Sequence, residues 1–208
     1  NETLGVNNTL YLPNFSVPEK TILKTEIQGT PGKRIVCLAN LRPQKNHFEI
    51  LTVFKTFRDQ YPAFSLHLIG KDFKDVYSQE IKNTIQKLNL EEHIFLYDSR
   101  PDVSAILQEM DIALLLSTSE GLPLALLEYG MAGLPTIVSD VGMCKEVVGD
   151  TAFIVKDVLT ETQKYLELYA QDSGLRASKG EAFASKIKNE YSATKSSKTL
   201  YAFYNTLK

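Results

Sequence analysis

A chain of 208 residues with 43% hydrophobic positions is long enough for one compact domain with flanking segments, and apolar enough to bury a sizeable core, which excludes a disordered chain. Its formal net charge of -2 excludes the strongly basic surface of a general nucleic-acid binder, and no apolar run approaches the length of a bilayer span. Cys37 and Cys144 stand in different contexts without metal-ligand spacing, and read as reduced thiols of a cytosolic chain.

The first residues carry no signal-peptide core and no initiating methionine, so the chain reads as a piece of a longer protein. Asn1, Asn7 and Asn14 begin glycosylation-type triplets, which carry little weight without a secretory signal. Residues 1–30 are polar and punctuated by Pro13, Pro18 and Gly29, predicting an incoming linker with one brief strand at Leu10-Tyr11-Leu12. Regular alternation then sets in. Strands are predicted at Arg34 to Ala39, Phe64 to Ile69, His93 to Tyr97, Ile112 to Leu116, Thr136 to Ser139 and Ala152 to Val155. Between them, helical spacing appears at Asn46 to Tyr61, Val76 to Leu88, Val103 to Met110 and Pro123 to Ala132, with one more turn near Lys145 to Val148. The tail from about Leu159 to Lys208 reads as helical, broken near Ser173-Gly174 and Asn189 to Ser192.

Strands apolar on both faces, alternating with helices, imply an α/β fold: a Rossmann-like parallel sheet of about six strands with helices on both faces and a helical C-terminal tail. The expected organisation is a linker over 1–30, a Rossmann-like domain over 31–158 and helices over 159–208. Right-handed crossovers bring the loop after every strand to one edge, where such sheets bind ligands.

The loop after the first strand, Ala39 to Asn46, stands where a dinucleotide-binding domain carries G-x-G-x-x-G, yet it holds no glycine. The backbone therefore lacks that fingerprint's close approach to a pyrophosphate, which counts against a nicotinamide or flavin enzyme. It offers Arg42 and Lys45 instead, with Asn46 placed to cap the next helix. These cations either meet a diphosphate or are merely solvated.

The segment Ser117 to Pro135 carries two carboxylates. Gly121 permits a tight turn and Pro123 suits a first helical position, so Glu120 lies in a loop at the ligand edge and Glu128 inside the helix. Leu122, Leu124, Leu126, Leu127, Met131 and Leu134 make that helix apolar almost all round, and such helices are buried. A buried Glu128 needs either an internal partner or a ligand with a vicinal diol. The amides of Gly121, Leu122 and Leu124 stand free at the helix start for phosphate or sugar oxygens.

Glu120-Gly121-Leu122-Pro123-Leu124-Ala125-Leu126-Leu127-Glu128 resembles the E-x7-E motif of the family-4 (group 1) retaining glycosyltransferases of GT-B fold. The blocks Asp111 to Ser117, Met131 to Gly142 and Phe95 to Val103 resemble the same family in the same order. The resemblance implies the C-terminal, donor-binding half of such an enzyme, with Glu120 on the donor sugar, Glu128 on the ribose and Lys45 on the diphosphate. Asn40 stands where the family places a diphosphate arginine, leaving Arg42 as a neighbouring substitute. Ser99, Arg100, Gly70 and Lys71 fall in the loops expected around the base of a UDP- or GDP-linked donor.

The resemblance further implies metal-independent transfer with retention, with no cofactor, from a nucleotide sugar to a glycan or lipid-linked acceptor in polysaccharide or cell-envelope synthesis. The acceptor domain lies outside this chain, which is expected to be inactive alone. The full-length enzyme is expected in the cytoplasm, with peripheral association at the inner membrane face left open. His47, His67 and His93 read as core or surface residues. A GT-B sugar-nucleotide epimerase and a non-catalytic nucleotide-sugar sensor stand as the alternatives.

Overall fold

The computed structural model describes residues 9–15, 22 and 24–206. The parts of the expected linker at 1–8, 16–21 and 23, with Asn1, Asn7 and Pro18, lie outside the described residues, as do 207–208 of the tail. Strands β1 (Arg34–Leu38), β2 (Ser65–Ile69), β3 (Ile94–Tyr97), β4 (Ile112–Leu115), β5 (Thr136–Ser139) and β6 (Phe153–Val155) fall inside the predicted runs. They form one parallel sheet in the order β3-β2-β1-β4-β5-β6. The helices are α1 (His47–Gln60), α2 (Val76–Lys87), α3 (Val103–Gln108), α4 (Leu124–Ala132), α5 (Cys144–Val148), α6 (Val158–Gln171), α7 (Ser173–Glu190) and α8 (Ala193–Asn205).

Each strand feeds two cores because successive side chains point to opposite faces. Ile35, Cys37, Leu114 and Ile137 face one layer, where Phe54 and Phe57 of α1, Ile81 of α2 and Leu166 of α6 pack. Val36, Ala113, Leu115 and Val138 face the other, with Ile106 of α3, Leu126 and Tyr129 of α4, and Phe183 and Ile187 of α7. The α4–α7 crossing depends on missing side chains. A Cβ on Gly130 would lie 2.2 Å from Ile187 Cγ1, and one on Gly180 would lie 2.0 Å from the Gly133 carbonyl oxygen.

The chain winds outward from β1 to β3, then returns beside β1 at β4 and winds the other way. Loops leaving β1 and β4 therefore diverge, opening a crevice above their C-terminal ends. That crevice is where the candidate site lies.

Four expectations are corrected. Leu10-Tyr11-Leu12 forms no strand, because three residues away from any sheet edge gain no ladder hydrogen bonds; Tyr11 instead reaches Met143 Sδ at 3.3 Å. The expected break at Ser173-Gly174 falls one residue earlier: Asp172 accepts a hydrogen bond from the Leu175 amide and caps α7, so both residues lie in its first turn. Asn46 precedes α1 but makes no side-chain cap, since its left-handed backbone (φ 58°) turns the amide toward Leu116 and Glu49. The α4 helix is not buried all round: Leu124 is 55% exposed, because no described residue covers the face it shares with Glu128 one turn on. Near the end of the tail, Tyr191 is buried whereas Tyr201 and Tyr204 stay exposed, because α8 buries little besides Ser196.

The linker does more than arrive. Arg34, itself buried, donates to the carbonyls of Gln28 and Gly29 at 3.1 and 3.0 Å and pairs with Glu109 at 3.2 Å. Buried Asp102 accepts the amides of Lys24 and Thr25 at 2.7 and 2.8 Å and the Thr25 hydroxyl at 2.9 Å. Residues from Lys24 onward are thus stapled to the domain. No helix of the described residues is long and apolar enough to cross a membrane.

Candidate functional site

The loop after β1 is built tightly. Its Leu41 amide still reaches the Lys71 carbonyl, extending the pairing with the neighbouring loop, and Pro43–Lys45 then form a 3₁₀ turn. Asn46 closes the turn, its amide N–H donating to the Pro43 carbonyl and its side chain to the Leu116 carbonyl at 3.2 Å. From β4, the Thr118 amide donates to the Gln44 carbonyl at 2.9 Å, so the two crevice loops are joined along their backbones. Lys45 thereby points across the crevice.

Lys45 Nζ meets Glu120 Oε1 at 2.6 Å, and the Ser117 hydroxyl donates to the same oxygen at 2.6 Å. The side chains are 22% and 8% exposed respectively, so this is a sheltered pair rather than a surface one. Behind Glu120 lies the loop after β5. Gly142 there has φ +52°, and a Cβ at that position would lie 1.9 Å from the Glu120 carbonyl oxygen. The adjoining Met143 amide donates to the Gly121 carbonyl at 3.1 Å. Only glycine permits that conformation and that approach together.

Helix α4 starts open. Pro123 is its N-cap residue rather than its first turn, contributes no side-chain cap, and leaves the Gly121, Leu122, Leu124 and Ala125 amides without acceptors among the described residues. One turn on, Glu128 is partly buried and burial pushes its carboxyl above the usual range; it has no ion pair or hydrogen bond among the described residues. Among the described residues, the internal partner that a buried glutamate invites is therefore missing. Beside it, fully buried Tyr129 accepts the Leu38 amide at 2.6 Å and donates to the Leu114 carbonyl at 3.1 Å, pinning α4 to the ends of β1 and β4.

The structure brings together Lys45, Glu120, Gly121, Leu122, Pro123, Leu124 and Glu128, but not Arg42. That side chain is exposed and stacks 4.0 Å from the Phe73 ring centroid, with Lys71 at 5.1 Å from the same ring. Asn40, at the position of the expected arginine, instead accepts the Lys71 amide at 2.8 Å. The four base-loop residues are split. Gly70 lines a cavity of about 190 Å³ with Leu41, Asp72, Tyr97 and Asp98, whereas Arg100 lines a separate one of about 650 Å³ over the edge strand β3. Exposed Ser99 has its amide bonded to Asp98 Oδ1 at 2.7 Å, and that oxygen also takes the Asp72 amide at 3.2 Å.

Asp98, Ser117 and Tyr129 are candidate-site residues that the sequence alone did not single out. Ser117 lies three residues before Glu120 and Tyr129 is a lone hydroxyl in an apolar helix, and those were the available signals. His47 is fully buried under the cationic loop, with Nδ1 3.2 Å from the Tyr77 hydroxyl, and burial lowers its pKa to about 4. His67 is likewise a core residue, lowered to about 4 by burial, and His93 is partly buried. The thiols of Cys37 and Cys144, both buried near the Lys45–Glu120 pair, are pushed up to about 12 by burial.

Residues 20–183 match the family model "Glycosyl transferases group 1". The chain belongs to the group 1 glycosyl transferases. The family's E-x7-E segment is therefore the one that lays its carboxylates along this crevice. Among solved structures, the C-terminal domain of the group 1 protein LpcC from Francisella tularensis is similar, with TM-score 0.70 and 19% identity over 77% of this chain and 87% of that one. Anabaena Alr3699/HepE, solved with UDP, gives TM-score 0.77 at 16% identity over 83% of this chain and 48% of that one. These likenesses establish the fold as the C-terminal half of a GT-B architecture. A Vi polysaccharide biosynthesis protein of Salmonella typhi is 33% identical over 118 residues, covering 56% of this chain and 20% of that relative. The glycosyl transferase domain spans under half the length of the curated relatives it matches.

Proposed function

We propose that this domain holds a nucleoside diphosphate sugar along the C-terminal edge of its sheet, as the donor half of a retaining glycosyltransferase. The observation that carries the reading is Glu128: a partly buried carboxylate without a partner among the described residues, one turn behind the uncapped start of α4. A ribose supplies the two hydroxyl donors that such a group needs. Its diphosphate then lies over the free α4 amides and beside Lys45, with Arg42 as a second cation once it leaves Phe73. Glu120 accepts hydroxyls of the sugar. The base falls toward the loops of Gly70, Lys71, Asp98, Ser99 and Arg100, with UDP or GDP as the donor nucleotide; UDP is the nucleotide bound to the Anabaena neighbour.

In the reaction the bond between the anomeric carbon and the diphosphate oxygen breaks, its electron pair leaving with the diphosphate. The acceptor hydroxyl oxygen bonds to the same face of that carbon, and its proton passes to the departing diphosphate oxygen. Lys45 and the α4 amides stabilise the charge growing on the leaving oxygen, which lowers the barrier without a metal ion. The acceptor, a glycan or lipid-linked sugar, is held by a domain outside this chain, and polysaccharide synthesis is supported by the Salmonella relative. Titration with UDP, GDP, ADP and their sugars tests the proposal. One nucleotide is expected to bind at micromolar to millimolar concentration, and no sugar to be transferred by this chain alone. Binding of none of them would sink the donor assignment, and transfer by the isolated chain would sink the need for a second domain.

A further inference from the structure

Resting on that donor reading, we infer that Glu120 competes with the donor's own diphosphate for Lys45, so that the site discriminates against a bare nucleoside diphosphate and in favour of its glycosylated form. The contact between Lys45 and Glu120 carries this. Lys45 Nζ sits 2.6 Å from Glu120 Oε1, an oxygen already taken by Ser117, with the two side chains only 22% and 8% exposed. Both ends are braced. The 3₁₀ turn and the Asn46–Leu116 bond hold Lys45, while Gly142 and Met143 press against the backbone of Glu120 and Gly121. A pair sheltered from water is not a loose surface contact, and separating it leaves a carboxylate whose charge is poorly solvated.

Glu120 Oε1 has both its donors, and Oε2 has none among the described residues. A bare nucleoside diphosphate draws Lys45 toward its terminal phosphate and sets a doubly ionised group beside Glu120. Neither change gives the carboxylate anything in return. A sugar on that phosphate removes one negative charge and brings hydroxyl donors to the empty Oε2. The same residue thus opposes the product nucleotide and accepts the substrate, and after transfer the re-formed pair speeds departure of the nucleotide.

Isothermal titration of UDP and UDP-glucose (GDP and GDP-mannose where UDP gives no signal) into wild type, Glu120→Gln, Lys45→Gln and the double variant tests this. Glu120→Gln is expected to bind UDP on the order of tenfold more tightly, about what one freed charge-assisted hydrogen bond returns. UDP-glucose gains less or weakens, so the wild-type preference for the sugar nucleotide shrinks or reverses. In the Lys45→Gln background the same change tightens UDP by much less. If Glu120→Gln does not fold, Glu120→Asp lengthens the pair while keeping the charge, and a tightening of a few-fold is expected. Unchanged or weaker UDP binding by the folded variant overturns the competition, as does an equal gain with and without Lys45. Wild type that binds no nucleoside diphosphate overturns the donor reading itself, which is a separate result.

Discussion

Replacing Glu128 by glutamine separates what this residue does for the ligand from what it does for the fold. The carboxylate is partly buried with no partner among the described residues, and its carboxyl is raised above the ordinary value of 4.5 by burial. Holding a charge there costs the ligand-free chain stability. Glutamine removes the charge at nearly constant volume, so the variant is expected to be more stable by about 1 kcal/mol, a usual gain when a functional compromise is relieved. For a domain of this size that is a rise in Tm of roughly 2–4 °C. The pH dependence has a definite sign. A raised folded pKa means the penalty is present when the group is ionised, so the gain is full at pH 7 and vanishes as pH falls below 4.5. Nucleotide binding moves the opposite way. Two charge-assisted hydrogen bonds from ribose reduced to one neutral acceptor lose about 2–4 kcal/mol, or roughly thirty- to several-hundred-fold in Kd. Thermal melts at pH 7 and pH 4 with calorimetric titration of UDP read both effects. A variant that melts lower at pH 7 while binding nucleotide normally would refute the reasoning, because Glu128 would then be a structural residue.

Four further outcomes are expected. Tyr129→Phe strands the partly buried Leu38 amide and the buried Leu114 carbonyl, costing about 1–3 kcal/mol in urea unfolding; a loss under about 0.5 kcal/mol would show that these groups find other partners. Gly142→Ala displaces the loop bearing Glu120 and is expected to weaken sugar-nucleotide binding at least tenfold while costing about 1–3 kcal/mol of stability; unaltered binding would mean that the loop contact does not position Glu120. His47 and His67 are buried and held near 4, below the ordinary 6.5, so their contribution is complete above pH 6.5 and is lost as pH falls toward 4, by up to about 3 kcal/mol each. A stability profile flat from pH 7 to 4, read by denaturant titration, would contradict this. Cys37 and Cys144, with thiols pushed to about 12, are expected to resist iodoacetamide in the native state and to react fully in urea, which mass spectrometry reads.

The strands and helices were legible because their signals are local. Period-two and period-3.6 runs set the type of each element, and the strictly apolar β4, alternating with helices like the other strands, pointed to a parallel sheet covered on both faces. Glu120 and Glu128 were legible too, as charges set among leucines by a glycine and a proline. Single boundaries were not. Asp172 rather than Gly174 ends α6, because a cap is decided by which side chain turns back onto the free amides.

Pairwise contacts between distant segments belonged to the tertiary structure alone. Sequence placed Lys45 and Glu120 on one edge, but their separation of 75 residues carries no trace of a 2.6 Å contact. That contact arises because β1 and β4 are neighbours where the sheet reverses its winding, and because their loops share backbone hydrogen bonds. Arg42 shows the converse: proximity to Lys45 in sequence put it in the same group of cations, yet a free loop side chain goes to the nearest aromatic face, Phe73. The uncovered side of α4 was likewise invisible beforehand, since a helix apolar all round does not say which side its neighbours leave open. Composition and periodicity determined the sheet, its layers and the residue types at its ligand edge. Which of those residues touch, and which carboxylate is left without a partner, was decided by packing between segments that the chain order keeps apart.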